Sequence, residues 1–312
     1  MNLEQALRAT EQQMLDAVAS DVPVLQEASR HIISAGGKRV RPRLMFLSYL
    51  VAGGSTLGNA IPVAAALELV HTATLVHDDI NDHGKVRRGQ VTINERWGRT
   101  FALLTGDFLF AKVYEMMAPY GDLNKTFSET AVTLVEGETL QADAAKNNRL
   151  NREVYKQIVA KKTASLFQAS AVLGAQLAGA DDEMVDALGE YGFHVGLAFQ
   201  IVDDILDLVG DPSKLGKTAG IDAVQGKGVM TAYATNGASN GSTTAVAEAP
   251  APADNMFDAM KQKMLESGAV DEGWKMARLS ADMAHAALDR LPESALVDEL
   301  RDIITLVLDR DR

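Results

Sequence analysis

Two aspartate clusters, each closing an apolar helical run, constrain this chain more than any other feature of it. The first lies in LELVHTATLVHDDINDHGKVRR, Leu67 to Arg88, and contributes Asp78, Asp79 and Asp82; the second lies in FQIVDDILD, Phe199 to Asp207, and contributes Asp203, Asp204 and Asp207. At about 100° per residue, His71, Asp78 and Asp82 share a narrow strip of one helical face, because seven and eleven residues are each close to whole turns. Asp79 flanks that strip. Three carboxylates within five residues repel one another unless a cation sits among them, and a hard divalent ion with oxygen ligands is the natural candidate. One acidic helix end by itself reads as a solvated terminus. A second copy far away in the chain turns the pair into a candidate cage for several Mg²⁺ ions.

The chain has 312 residues, ample for a substantial core, and is 47% hydrophobic with only 5% aromatic residues, a balance that suits a helical globule. Its formal charge of -12 argues against nonspecific nucleic-acid binding, which depends on neutralising phosphates with Lys and Arg. With no cysteine there is neither disulfide nor thiol chemistry, which fits a reducing cytoplasm. The start, MNLEQALRATEQQM, lacks the basic and apolar regions of a signal peptide, and no stretch reaches the ~20 apolar residues of a membrane span. A soluble, cytoplasmic protein is expected, with no integral membrane segment.

Apolar periodicity predicts helices over 3–19, from Pro23 to the glycine pair Gly36–Gly37, from Pro42 to Val51, from Ile61 to about Asn81, and over 101–117, 126–145, 152–179 and 184–209. The helix over 101–117 is apolar nearly all round, as for a buried or intersubunit helix. From Ala234 to Asp254 the composition shifts to Ala, Thr, Asn, Gly, Ser and Pro, and a flexible insertion at about 230–255 is expected; helical periodicity resumes at Met256 and breaks at Leu291-Pro292. There is no useful alternating strand pattern. The expected architecture is all-α, a single-domain helical bundle with a central apolar cavity.

Basic residues gather near the acids. GGKRVRP, Gly36 to Pro42, joins a glycine hinge to clustered guanidinium groups suited to bidentate phosphate binding; GKVRRGQ adds Lys85, Arg87 and Arg88, and a glycine-punctuated loop after the second cluster adds Lys214, Lys217 and Lys227. Exposed ion pairs are worth only about 0–1 kcal/mol each, a weak reason to collect so many. Acids for divalent metals, bases for anions and an apolar interior together suit a substrate with a polyanionic head and a hydrocarbon tail, such as an isoprenoid diphosphate.

Over nearly its whole length outside the insertion, the chain resembles the trans-type isoprenyl diphosphate synthases, and most of all the long-chain polyprenyl members. GGKRVRP, LVHTATLVHDDIND, RRG, GDFLF, KTASLF, FQIVDDILD and GK occur in the family's order and at compatible spacing. The resemblance implies an all-α isoprenoid synthase fold, a homodimer, and condensation of isopentenyl diphosphate with an allylic diphosphate. It implies that Asp78, Asp82 and Asp203 hold Mg²⁺, three ions with substrate bound, with Asp79, Asp204 and Asp207 as further or water-mediated ligands. It places Arg87, Lys162, Lys217 and Lys227 on the allylic diphosphate, and Lys38, Arg41, His71 and Arg88 on isopentenyl diphosphate. It also sets Thr163 and Gln200 beside the reacting carbons. Membrane contact is then expected only as peripheral contact for product release.

Short-chain members of that family often place a bulky plug just before the first cluster, where this chain has Ala73 and Thr74. A growing tail is expected to pass Thr74 and run along Val70 and Ala66, giving a product beyond fifteen carbons. A geranylgeranyl product, with Phe101 or Phe108 closing the channel, is the alternative. The chain departs from the family after Lys227, where GKGVMTAYATNGASNGS runs into the insertion instead of a helix start. A noncatalytic subunit would be expected to lose the carboxylates or the basic clamp, and a terpene cyclase has no need of Lys38, Arg41 and Arg88; all are present.

Overall fold

A computed structural model describes residues 1–209, 262, 265–266 and 268–309. Lys214, Lys217, Lys227 and the segment 230–255 lie outside the described residues. Helices α1 (Leu3–Ala17), α2 (Pro23–Ser34), α3 (Val40–Val51) and α4 (Ile61–Asn81) are followed by a hairpin, β1 (Val86–Arg87) and β2 (Gln90–Val91), then α5 (Ile93–Trp97), α6 (Arg99–Met117), α7 (Gly121–Lys146) and α8 (Arg152–Val159). A π turn, Ala160–Ala164, leads into α9 (Ser165–Ala178), which is followed by α10 (Asp182–Val209), α11 (Ala269–Leu288) and α12 (Ala295–Leu308). The fold is the expected all-α helical bundle, and the hairpin provides the only strands among the described residues.

Local chemistry explains the boundaries. Asn2 and Gln5 form a reciprocal capping box at the start of α1, and Asn151 and Ser294 cap α8 and α12 with their side-chain oxygens. Pro23 stands in the first turn of α2, and that helix runs out at Gly36, whose φ of +76° is one that glycine adopts freely. The periodicity read over 152–179 is interrupted by the π turn, where one extra residue shifts the helical register.

α4 is the central helix. Residues Val63 to Val70 are all buried, and with its 3₁₀ entry the helix Leu57–Asn81 is long and apolar enough to cross a bilayer. The sequence reading expected no such stretch. Most of this one is buried inside the bundle, which accounts for its composition: it forms the core. α3 and α9 approach closely because Gly174 has no side chain, since a Cβ there would lie 2.4 Å from the carbonyl oxygen of Met45. Tyr191 of α10 is fully buried, and its hydroxyl donates to the carbonyl of Leu300 at 2.7 Å, tying α10 to α12.

Gly174→Ala is expected to force α3 and α9 apart and destabilise the protein by about 1–3 kcal/mol, in line with other overpacked cores. Urea unfolding of the variant checks this, and an unchanged midpoint would show that the contact relaxes freely.

Candidate active site

The C-terminal end of α4 presents the strip that the spacing predicts. His71, Thr74, Asp78 and Asp82 are half-buried along one face, whereas Asp79, one residue off the strip, is buried. Beyond Asp82 the chain turns back against Asp79: the amide of Gly84 donates to the Asp79 carbonyl, and a Cβ on Gly84 would come within 2.9 Å of Asp79 Oδ1. The hairpin follows, its turn made by Arg88 and Gly89, both at positive φ as a tight two-residue turn requires. His31 fixes the hairpin to α2 by donating from Nε2 to the Val91 carbonyl at 2.7 Å, while its Nδ1 accepts from Arg96 at 3.3 Å.

The hairpin's two arginines point to different partners. Arg87 Nε donates to Asp79 Oδ1 at 2.7 Å, whereas Arg88 donates from Nη1 to the carbonyl of Gly36 in the glycine hinge. A Cβ on Gly37 would lie 2.8 Å from the Arg88 guanidinium, and the φ of +154° at this position is one that glycine adopts freely. Burial pushes the Asp79 carboxyl up despite Arg87, with Asp78 and Asp82 adding to the rise.

The other wall of the acidic site comes from the π turn. Lys162 Nζ donates to Asp78 Oδ1 at 3.1 Å, Glu138 Oε2 at 2.8 Å and Gln141 Oε1 at 2.9 Å. Burial works against the ammonium, but Asp78 and Glu138 outweigh it and hold Lys162 firmly charged. Burial, and then Asp78, raise Glu138 to about 7 against the pull of Lys162. The next residue, Thr163, donates to Gln200 Oε1 at 2.7 Å, so that adjacent residues reach the two helices bearing the aspartates. Glycines on both sides permit this: a Cβ on Gly137 of α7 would lie 2.7 Å from the Lys162 amide nitrogen, and one on Gly196 of α10 would lie 2.6 Å from Ala164 Cα.

In the second cluster the three aspartates divide. Asp203 is half-buried, while Asp204 and Asp207 are buried. Asp204 accepts from the Tyr155 hydroxyl and from Gln200 Nε2, both at 2.7 Å. The first comes from another helix and is not encoded in the spacing of this one, whereas the second joins residues one turn apart on α10.

A basic cluster lies beside the acids. Arg41 is seated over the Phe167 ring at 4.7 Å, and burial lowers its guanidinium to about 10, against the pull of Glu68 and with Arg88 adding to the fall. Burial drives the His71 imidazole well below its usual range, and Arg41, Arg88, Arg87 and Arg39 all push the same way, so this ring is neutral at pH 7. Lys38 is exposed at the edge of the cluster. Arg39, between Lys38 and Arg41 in sequence, has a structural post: it is buried and bonded to Glu11, Glu68 and the Ile33 carbonyl.

Among the residues read as a chain-length floor, Thr74 is half-buried and donates to the His71 carbonyl, whereas Ala73, Val70 and Ala66 are buried in the apolar cluster that includes Leu109 and Val113 of α6. A tail passing Thr74 would have to part this packing. Phe101 is 42% exposed and Phe108 half-buried.

The sequence reading passed over Glu138, Gln141, Tyr155 and Glu68. A glycine inside a helical run, Gly137, marked the first two, since such glycines often stand where another backbone comes close. A lone acid within an apolar stretch marked Glu68.

The donor set suits a hard cation, as Asp78, Asp82 and Asp203 offer partly exposed carboxylate oxygens. Among the described residues no three such groups converge to hold an ion on their own. That pattern fits Mg²⁺, which is commonly bound by one or two carboxylates with substrate phosphates and water completing the shell.

Residues 22–264 match the profile of the polyprenyl synthetase family. The chain is 33% identical to the octaprenyl diphosphate synthase of Escherichia coli, each covered in full, and 36% identical to heptaprenyl diphosphate synthase component 2 of Geobacillus stearothermophilus, over 99% of this chain and 97% of that protein. Its fold is similar to a crystal structure of polyprenyl synthase from Caulobacter crescentus complexed with calcium and isoprenyl diphosphate, with a TM-score of 0.90, 32% identity, and coverage of 99% of this chain and 96% of that one.

Tyr155→Phe removes the hydrogen bond that the tyrosine hydroxyl donates to the Asp204 carboxylate and is expected to destabilise the protein by about 1–3 kcal/mol. Thermal unfolding checks this; an unaltered midpoint would mean that Asp204 turns to water instead of inward.

Proposed function

This chain belongs to the polyprenyl synthetase family, and from that premise we propose that it is a prenyltransferase joining isopentenyl diphosphate head to tail to an allylic diphosphate, which yields a longer trans-polyprenyl diphosphate. The observation that carries this reading is the π turn, where Lys162 meets Asp78 and Thr163 meets Gln200, three residues before Asp203. Both aspartate helices are thereby bonded to a single turn of backbone.

Asp78, Asp82 and Asp203 are the proposed ligands of three Mg²⁺ ions, with Asp79, Asp204 and Asp207 as further or water-mediated ligands. The metal would act as a Lewis acid toward the departing diphosphate. Lys162 and Arg87, paired with Asp78 and Asp79, are placed to turn toward diphosphate oxygens as ions engage those carboxylates. Lys217 and Lys227 are assigned to the same diphosphate from their motif positions.

Lys38, Arg41, His71 and Arg88 take the diphosphate of isopentenyl diphosphate, to which a neutral His71 can donate one hydrogen bond without adding charge. The allylic C–O bond breaks with its electron pair leaving on the diphosphate. The double bond of isopentenyl diphosphate then attacks the cation, and the released diphosphate takes the proton. The oxygens of Thr163 and Gln200 face the developing positive charge, and fixed dipoles of this kind need no reorganisation during reaction.

A long-chain product is favoured by the small residues Ala73 and Thr74 and by the names of the relatives. A geranylgeranyl product is the second reading, since Val70 and Ala66 are closed off in the packing below Thr74. The chain is proposed to act as a single catalytic domain and a homodimer. The latter rests on Phe101, Leu103, Leu104 and Tyr114 of α6 and Val132 and Val135 of α7, large apolar side chains that are exposed on two successive helices.

Incubation of the purified chain with Mg²⁺, labelled isopentenyl diphosphate and farnesyl or geranylgeranyl diphosphate, followed by chromatographic sizing, is expected to give a ladder of long-chain products. A single twenty-carbon product would keep the activity and select the second reading, while no product with any primer would overturn the assignment in favour of a noncatalytic subunit. Asp78→Ala and Asp203→Ala are each expected to lower turnover by roughly 10²-fold or more with helical circular dichroism retained. Chelation of Mg²⁺ should abolish turnover reversibly.

A further inference from the structure

Glu68 is the one acid within the apolar run Ile61 to Val70 of α4 and is 2% exposed. Its Oε1 accepts from Arg39 Nη1 at 2.8 Å. Its Oε2 is buried and has no hydrogen-bond partner among the described residues, and the same holds for Arg41 Nε. An orphaned carboxylate oxygen in a protein core is destabilising unless a field of opposite charge holds it. Such a field is present, since Arg41 and Arg88 both interact electrostatically with Glu68.

The purely structural account does not need this second oxygen. Arg39 already bonds Glu11 at 2.9 Å and the Ile33 carbonyl at 3.1 Å, and one Glu68 oxygen completes its set. What remains is a buried negative charge facing two cations that have a ligand to bind. Four guanidinium groups act together on His71, and a cluster so dense in like charge spreads apart unless an anion lies within it.

We propose that Glu68 is a positioning residue: as the resident counter-ion of the guanidinium cluster, it keeps Arg41 and Arg88 gathered so that isopentenyl diphosphate meets a clamp already assembled. This inference rests on the assignment of the basic cluster to isopentenyl diphosphate. Glu68 touches neither substrate. It acts through the arginines, and the gain is preorganisation: the ligand does not have to order the side chains that bind it.

The test is steady-state kinetics of Glu68→Gln, in which the amide oxygen still accepts from Arg39 while the charge is gone. KM for isopentenyl diphosphate is expected to rise about tenfold, with kcat and KM for the allylic substrate within about twofold, as befits loss of a charged interaction at one subsite. Glu11→Gln, which weakens the other side of Arg39, is expected to leave both KM values unchanged. An unchanged or lower KM for isopentenyl diphosphate in Glu68→Gln, or an equal rise in Glu11→Gln, would overturn the proposal. If Glu68→Gln does not fold, Glu68→Asp, with its charge one methylene short, carries the same test.

Calorimetric titration with inorganic diphosphate separates the two levels of the argument. Weaker binding by Glu68→Gln in a protein that transfers no prenyl group would sustain the clamp and reject the reaction. Equal binding in an active enzyme would reject the clamp alone.

Discussion

One half-buried ammonium group organises the acidic half of the site. Lys162 stands among Asp78, Glu138 and Gln141, and it is a contact between two parts of the bundle far apart in sequence. A partly desolvated cation of this kind is stable only when its charge is matched and its donors are satisfied. Three acceptors from α4 and α7 meet both demands. The geometry depends in turn on the π turn, whose extra residue aims Lys162 and Thr163 at different helices, and on Gly137 and Gly196, which leave room for the turn between α7 and α10. Backbone, packing and charge are therefore set at one place.

The basic half uses the same logic with the signs reversed. Arg41, Arg87 and Arg88 converge near a neutral His71, and two buried carboxylates lie beside them, Asp79 bonded to Arg87 and Glu68 acting on Arg41 and Arg88. The hairpin joins the halves, because consecutive arginines at its turn reach Asp79 on one side and the glycine hinge on the other. Each cluster thus holds resident counter-charges, Lys162 and Arg87 among the acids and Glu68 among the arginines. Entry of metal ions and diphosphates adds charge to sites already partly neutralised, which keeps the rearrangement on binding small. The long apolar helix α4 suits this arrangement, since it carries both Glu68 and the first aspartates on a rigid core element.

Much of this was legible in the sequence, and the parts that were not have physical reasons. Helical periodicity put His71, Asp78 and Asp82 on one strip with Thr74 one turn beneath Asp78, and all four are half-buried along that face. Glycine and proline marked the loop that carries Lys38 and the start of the helix that carries Arg41. The second cluster was harder to read: Asp203 and Asp207 are one turn apart, yet Asp203 is half-buried and Asp207 buried, and Asp204 between them is held by Tyr155 of α8. Tyr155, Glu138 and Gln141 come from other helices, and no pattern within one segment encodes a partner in another. Neighbouring Arg39 and Arg41 look alike in GGKRVRP, but a left-handed backbone at Arg39, with φ of 48°, sends its side chain into the core. The π turn was missed because a single inserted residue leaves apolar spacing nearly intact on both sides of it.

The decisive experiment is a crystal structure with Mg²⁺, isopentenyl diphosphate and a non-cleavable allylic diphosphate. Ions are expected on Asp78, Asp82 and Asp203, with Lys162 moved from Asp78 onto the allylic diphosphate and Asp204 still bonded to Tyr155. Ions bound without Asp78, Asp82 or Asp203, or a diphosphate bound with Lys162 still on Asp78, would contradict it.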